Sequence, residues 1–347
     1  MIRPGPDDKV YPVVKLATLM ESLAAEGVTP EDALDGVRIS KSELSSPATL
    51  ISLNQIIEFY RRAAHLSPTP HFAYRAGQRF HVSTYGMYGF AILSSTNFHE
   101  TMRFAIEYHR LATPTTELSF KEQDNCSAWS IAPVPHPRVD AVLYRFLVEL
   151  QFGIHVSLHR EVMGQSFAPR EFQVTYLPPG DVQAYCDAFG CHVAFGQPEN
   201  RILFDAGWMN GAPRLGNEIT YSSLVPMCER MLNELHLRAG LAGKVREMLL
   251  VNIAHPASFD SVAKYLAMTP RTLRRRLLEE NTSYRNLIDE LRMHVAVKYL
   301  RDTELTIDNV ADFLGFSDSA NFRHAFRRWT GKAPQEFRRS SAGPLRD

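Results

Sequence analysis

Apolar residues recur every three to four positions over residues 13–27, 53–65, 97–111 and 140–163, the period of an amphipathic helix. Shorter runs at 116–120, 127–132, 172–177 and 201–204 read as strands, and Pro178-Pro179-Gly180 breaks the chain before a further helix from Asp181 to Phe189. This mixture predicts an α+β N-terminal domain. The stretch from Ala206 to Asn217 is rich in Gly and Pro, with Gly207 to Gly216 as a candidate hinge, and a helix from about Ser222 to Arg238 is expected to connect the two halves.

Beyond that helix the pattern changes to helices alone, and the segment repeats itself. Val262-Ala263-Lys264-Tyr265-Leu266-Ala267-Met268-Thr269 aligns with Val310-Ala311-Asp312-Phe313-Leu314-Gly315-Phe316-Ser317, 48 positions later, and Leu273 and Leu277 match Phe322 and Phe326 at a spacing of 49. Each copy reads as helix, tight turn, helix. In the first, Ser258 caps the opening helix, and Thr269 followed by Pro270 starts the second, because proline at the first helical position sacrifices no hydrogen bond. In the second copy Thr306 is the cap, Gly315 supplies a residue tolerant of a left-handed turn, and Ser317 with Asp318 starts the next helix. Ala263 and Ala311 fall where the two helices must approach closely, and the apolar pairs spaced by four face the core.

The opposite face of each second helix, with its cap, is left free. The first copy places Thr269, Arg271, Thr272, Arg274, Arg275 and Arg276 there. The second places Ser317, Ser319, Asn321, Arg323, His324, Arg327 and Arg328. Guanidinium forks suit phosphates and guanine edges, and hydroxyl and amide groups extend the same contacts. A run of arginines is most often only a solvated helix face, but here it follows a duplicated, identically punctuated turn. Between the copies, Leu287, Ile288, Leu291, Val295, Tyr299 and Leu300 mark an amphipathic helix over Tyr284 to Leu300. Such a rod would let two recognition helices, about 34 Å apart, enter successive major-groove turns of duplex DNA.

Charge supports this division. Residues 1–234 carry 19 Lys+Arg against 25 Asp+Glu, and residues 235–347 carry 19 against 13, so a net charge of zero hides an acidic part and a basic part. Only the basic part is suited to a polyanion. The four cysteines are too few and scattered for a disulfide framework, so reduced thiols are expected. Neither a secretory leader after Met1-Ile2-Arg3 nor a membrane-spanning apolar run is read in the sequence, which predicts a cytoplasmic protein without a membrane partner.

With these residues in hand, Leu241 to Arg339 resembles the AraC/XylS family of bacterial regulators. The resemblance is carried by Thr269 through Leu277, Gly315-Phe316-Ser317-Asp318, Phe322 through Phe326, Arg328-Trp329-Thr330-Gly331, Ala333-Pro334 and Phe337-Arg338. His324 takes the position where that family usually has arginine, and Ala267 replaces a glycine common at the first turn, implying strain or a different turn geometry there. From Val10 to Gly216, Tyr85-Gly86-Met87-Tyr88-Gly89 and Phe189-Gly190-Cys191 with Val193-Ala194-Phe195 are similar to the arabinose-binding-type sensor of the ornithine-utilisation and mycobacterial virulence branch. The resemblance implies a ligand-sensing or dimerisation domain at 10–216, a linker and connecting helix at 217–240, and a double helix-turn-helix domain at 241–340. It also implies promoter DNA, a small-molecule inducer, RNA polymerase and a second copy of the chain as partners, with the nucleoid as the place of work. A constitutive regulator whose N-terminal domain only dimerises is the alternative.

An inducer site needs an apolar wall with a few placed polar groups, and Tyr85, Tyr88, Tyr108, His109, Trp129, Tyr144, His155 and His159 are the candidates. Each is individually more often a core residue than a ligand contact. His155 and His159 share a helical face but lack a third metal ligand, and Cys186, Cys191 and His192 have the wrong spacing for a zinc knuckle, so no metal or cofactor is assigned. No phosphate loop, dinucleotide fingerprint or nucleophile elbow occurs, which argues against an enzyme. An architectural DNA-binding protein would not need the acidic N-terminal half.

Overall fold

The computed structural model describes residues 4–341 apart from 68, 124, 179, 239, 281 and 304; Pro179 of the expected break and Met1-Ile2-Arg3 lie outside the described residues. The chain forms two units, one spanning Gly5–Leu235 and the other running from His236 onward.

In the N-terminal unit β1 (Tyr11–Pro12) pairs antiparallel with β2 (Leu50–Ile51) around α1 (Val14–Ala25), α2 (Pro30–Leu34) and α3 (Lys41–Leu44). Next come α4 (Leu53–Leu66), α5 (Phe72–Gly77), a 3-10 turn at Val82–Tyr85, α6 (Gly86–Ser94) and α7 (Phe98–Ala112). A five-stranded sheet follows, ordered β3-β4-β7-β5-β6, from β3 (Thr116–Gln123), β4 (Cys126–Pro133), β5 (Glu171–Gln173), β6 (His192–Ala194) and β7 (Arg201–Asp205). All neighbours are antiparallel except β5 and β6, joined by α9 (Val182–Phe189), because parallel strands need a crossover. The predicted mixed architecture is thus present, although β5 is shorter than the 172–177 run.

The central element is α8 (Ala141–Met163), between β4 and β5. Its length and apolar composition would suffice to cross a bilayer, a property not read from the sequence. Here it is a core helix: Leu143, Leu147, Leu150 and Ile154 join one apolar cluster with α1 and α4, while Val148, Phe152 and Val156 join another with the sheet. Gly77 and Gly153 allow α5 to cross it, since a Cβ on either would stand 2.2 or 2.1 Å from the carbonyl oxygen of Leu150 or Tyr74.

The candidate hinge is hydrogen-bonded to the N-terminal unit at its C-terminal end. The N–H of Arg214 donates to the carbonyl of Val162 and that of Asn217 to Ser94, both at 2.8 Å. The Asn217 side chain accepts from the N–H of Thr220, and α10 (Glu218–Arg238) starts four residues earlier than expected. Leu224 and Cys228 from α10 are buried in the sheet-side core. The segment expected to be a linker therefore belongs, as far as Leu235, to the N-terminal unit, because an apolar stripe on α10 covers part of its core.

The second unit is helical: α11 (Gly240–Leu250), α12 (Phe259–Tyr265), α13 (Pro270–Glu279), α14 (Tyr284–Asp302), α15 (Ile307–Phe313), α16 (Ser319–Thr330) and α17 (Pro334–Ser341). One core joins both repeats through Val262, Ala263, Leu273 and Leu277 on one side and Val310, Ala311, Phe322 and Phe326 on the other. Leu287, Leu291 and Leu300 of α14 complete it.

Candidate nucleic-acid interface and effector cavities

Both repeats close their turns with the same hydrogen bonds. The N–H of Met268 donates to the carbonyl of Ala263 and that of Ala267 to Lys264; 48 positions later Phe316 donates to Ala311 and Gly315 to Asp312, all between 2.9 and 3.1 Å. This is the Schellman pattern, which requires a left-handed residue after the helix. Gly315 has φ +72°, and Ala267 adopts φ +52°. The replacement of glycine by alanine thus keeps the turn geometry and stores strain of about 1–2 kcal/mol. At Gly315 no side chain fits, since a Cβ would stand 2.0 Å from the carbonyl oxygen of Ala254.

The next helices start on the caps read from the sequence. Thr269 accepts from the N–H of Thr272 at 3.1 Å, and Asp318 from that of Asn321 at 2.7 Å. With Leu273 and Leu277 facing inward, the helical period turns Arg271 and Arg275 away from the core and leaves Arg274 and Arg276 on its flanks. In α16 the same reasoning turns His324, Arg327 and Arg328 outward and leaves Arg323 on the flank. Arg274 and Arg323, at matching positions, both lean back on the first helix of their unit. Arg274 lies 5.7 Å from the Phe259 ring centroid, and Arg323 lies 3.8 Å from Asp308. Arg275 reaches Glu279 at 3.7 Å, and Arg328 donates to Asp289 of α14 at 3.1 Å. The Asn321 amide is held by Ser317 and Asp318 at 2.9 and 2.8 Å. All the named arginines and His324 are exposed, while Thr272 and Ser319 are half-buried.

In the N-terminal unit a small cavity of about 40 Å³ lies between α6, α7, α8 and the sheet. Its wall includes Tyr85, Tyr88, Trp129, His155 and His159. The Trp129 indole N–H donates to His159 Nε2 at 3.2 Å, while Nδ1 of His159 and of His155 donate to the carbonyls of His155 and Gln151 at 2.7 and 2.9 Å. Burial holds both imidazoles neutral, near pKa 3 for His155 and 4 for His159. Both nitrogens of His159 are thereby occupied within the protein. A second, larger groove of about 460 Å³ shares Tyr85 and Tyr88 with it and runs along the start of α1. Of these two spaces, the groove is the one whose volume falls in the range of roughly 300–1,000 Å³ usual for small-molecule sites.

A family profile described as the arabinose-binding domain of AraC transcription regulators matches residues 27–213, more than half of the chain. The protein belongs to the AraC family of transcription regulators. A helix-turn-helix domain profile matches residues 262–340, across both units of the duplicated turn. The ornithine utilization regulator of Pseudomonas aeruginosa is 29% identical over 331 residues, covering 95% of this chain and 96% of that protein. An uncharacterized HTH-type transcriptional regulator of Mycobacterium tuberculosis is 29% identical over 342 residues, 97% of this chain and 98% of its own length. The crystal structure of the transcriptional regulator CdpR from Pseudomonas aeruginosa shares the fold, with a TM-score of 0.50 at 23% identity over 93% of this chain and 96% of that one. This AraC-family chain is accordingly a DNA-binding transcription regulator, and its relatives are regulators rather than enzymes.

Of the eight residues expected to line an effector site in this regulator, five share the inner cavity and three do not. Tyr108 stacks on Phe104 at 4.5 Å, and His109 Nδ1 donates to the carbonyl of Ile106. Tyr144 bonds Thr175, just after β5, and Asn200, just before β7. Sequence reasoning missed Lys15, whose ammonium lies 4.9 Å from the Tyr85 ring centroid, seventy positions away in the chain. It also missed Arg292, which sits 5.0 Å from the Phe316 ring centroid and joins α14 to the second turn. The only signal for Lys15 was a cation in the first turn of a helix, where a carboxylate is favoured.

Proposed function

We propose that this regulator binds a promoter with both helix-turn-helix units and is controlled by a small molecule sensed in its N-terminal unit. The observation that carries the DNA half is the repeated Schellman turn, which presents α13 and α16 in the same way relative to their partner helices and leaves Arg271, Arg275, His324 and Arg327 outward. Thr269 and Ser317 serve as caps or cap partners, so we assign them to orientation of the helices, and Arg276 and Arg328 to phosphates. The groove along α1, large enough for a metabolite, supports the sensor half. Coupling then requires the ligand to favour one arrangement of the chain over another.

The remaining partners follow from this role: RNA polymerase at the promoter, a second copy of the chain across a bipartite site, and residence in the cytoplasm on the nucleoid. Footprinting the full chain on DNA flanking its own gene tests the reading. A protected site spanning two adjacent major-groove segments is expected; uniform, sequence-independent protection would contradict it.

A further inference from the structure

We infer that the groove at the start of α1 binds a small organic monoanion, one carboxylate on an apolar body, with the Lys15 ammonium as its counter-charge. The inference deepens the sensor reading by naming the class of effector.

Lys15 is the one charged side chain among the residues lining the groove. The rest of the wall is largely apolar, including Tyr11, Val14, Leu44, Ile56, Met87 and Met231. Among the described residues no carboxylate pairs with Lys15; its ammonium rests on the Tyr85 ring. An unpaired cation beside an apolar wall is costly, and burial lowers the Lys15 pKa to about 7.

Three further features point to an anion. The helix α1 is twelve residues long, its N-cap residue Val13 provides no side-chain cap, and it has no acidic residue in its first turn. Lys15 is its second residue, so a positive side chain stands at the positive end of the helix dipole, and Val13, Val14 and Lys15 all line the groove. That arrangement is unfavourable in isolation and becomes favourable once a negative group occupies the space. The hydroxyl of Tyr85, in the same wall, is buried with no hydrogen-bond partner.

The same inventory excludes other classes. A basic amino acid or polyamine would bring a cation that no lining carboxylate can receive, and a nucleotide would bring several negative charges to a single lysine. A monocarboxylate with a hydrocarbon or aromatic body matches both the charge and the wall.

The test is calorimetry and thermal melting of the full chain with straight-chain carboxylates from hexanoate to dodecanoate and with 3-phenylpropanoate, each against its primary amide. At least one acid should bind about tenfold or more tightly than its amide, the size expected for a charged hydrogen bond. Lys15→Met should abolish that preference while leaving the footprint on DNA in place, and Lys15→Arg should keep it. Acids and amides binding alike, no acid binding up to its solubility, or full acid preference in a Lys15→Met protein that melts as the wild type does would overturn the inference. Loss of the ligand-free footprint in the unmodified chain would instead sink the DNA-binding reading and leave the groove assignment to the calorimetry.

Discussion

The carboxylate of Glu280 accepts the backbone N–H of Leu241 at 2.9 Å, and its second oxygen accepts that of Ala242 at the same distance. Glu280 is the C-terminal cap residue of α13, while Leu241 lies in the first turn of α11. One side chain therefore ties the end of the first candidate recognition helix to the start of the DNA-binding unit. A charged acceptor on otherwise unpaired helix N–H groups stabilises by about 1–2 kcal/mol. Glu280→Ala should accelerate hydrogen exchange at Leu241 and Ala242 and lower the melting temperature of the unit. Unchanged exchange at both amides would contradict this role.

The two turns predict opposite responses to a single methyl group. Ala267→Gly should stabilise the protein by about 1 kcal/mol, since it relieves a left-handed alanine. Gly315→Ala should destabilise it by more, because its Cβ would meet the Ala254 carbonyl as well as the strained backbone. Leucine at Ala263 or Ala311, both fully buried at the close crossing, should cost about 1–3 kcal/mol. Denaturation monitored by circular dichroism orders these variants; equal effects at Ala267 and Gly315 would contradict the account.

The contrast between these turns and the effector sites shows what a sequence exposes. Caps such as Ser258, Thr269, Thr306 and Asp318 act within three residues, so their chemistry is visible in the order of residues alone. The same is true of the helical stripes on α4, α7 and α8. Strands β1 and β2, each two residues long, carry no period, and β6 is defined by a partner twenty-one positions away at β5. The meeting of Lys15 with Tyr85 depends on packing between elements far apart in the chain. Glycine and proline mark irregular backbone whether or not it is held, so the order of residues does not show that Gly216 is pressed against the Ser95 carbonyl.

Glu149, in the middle of α8, gives the N-terminal unit a pH-dependent stability. The hydroxyls of Tyr176 and Tyr185 both donate to its Oε1 at 3.1 Å, but burial dominates and pushes the carboxyl up to about 7. A raised pKa means that the folded state holds the proton more tightly. The associated stability is fully present below about 4.5 and is lost as pH rises through about 7. Glu149→Gln retains the acceptor and removes the charge. Its melting temperature should exceed that of the wild type at pH 8, with the gap shrinking towards pH 5; a gap independent of pH would contradict the assignment.

Arg274 and Arg323 lean on the first helix of their units, which suits them to phosphate contacts rather than base edges. Replacing either with alanine should weaken binding to all DNA sequences alike and reduce the slope of affinity against salt by about one. A change in base preference at a single position would instead place them in the groove.

The central claim is that two copies of one turn read two segments of DNA. The most direct measurement is a quantitative footprint on the promoter with the unmodified chain, Arg271→Ala/Arg275→Ala and His324→Ala/Arg327→Ala. Each double variant should lose protection and base preference over a different segment, the two segments lying about one helical turn apart. If both variants lose protection evenly across the site, these side chains only clamp the backbone and the paired-reader account is wrong.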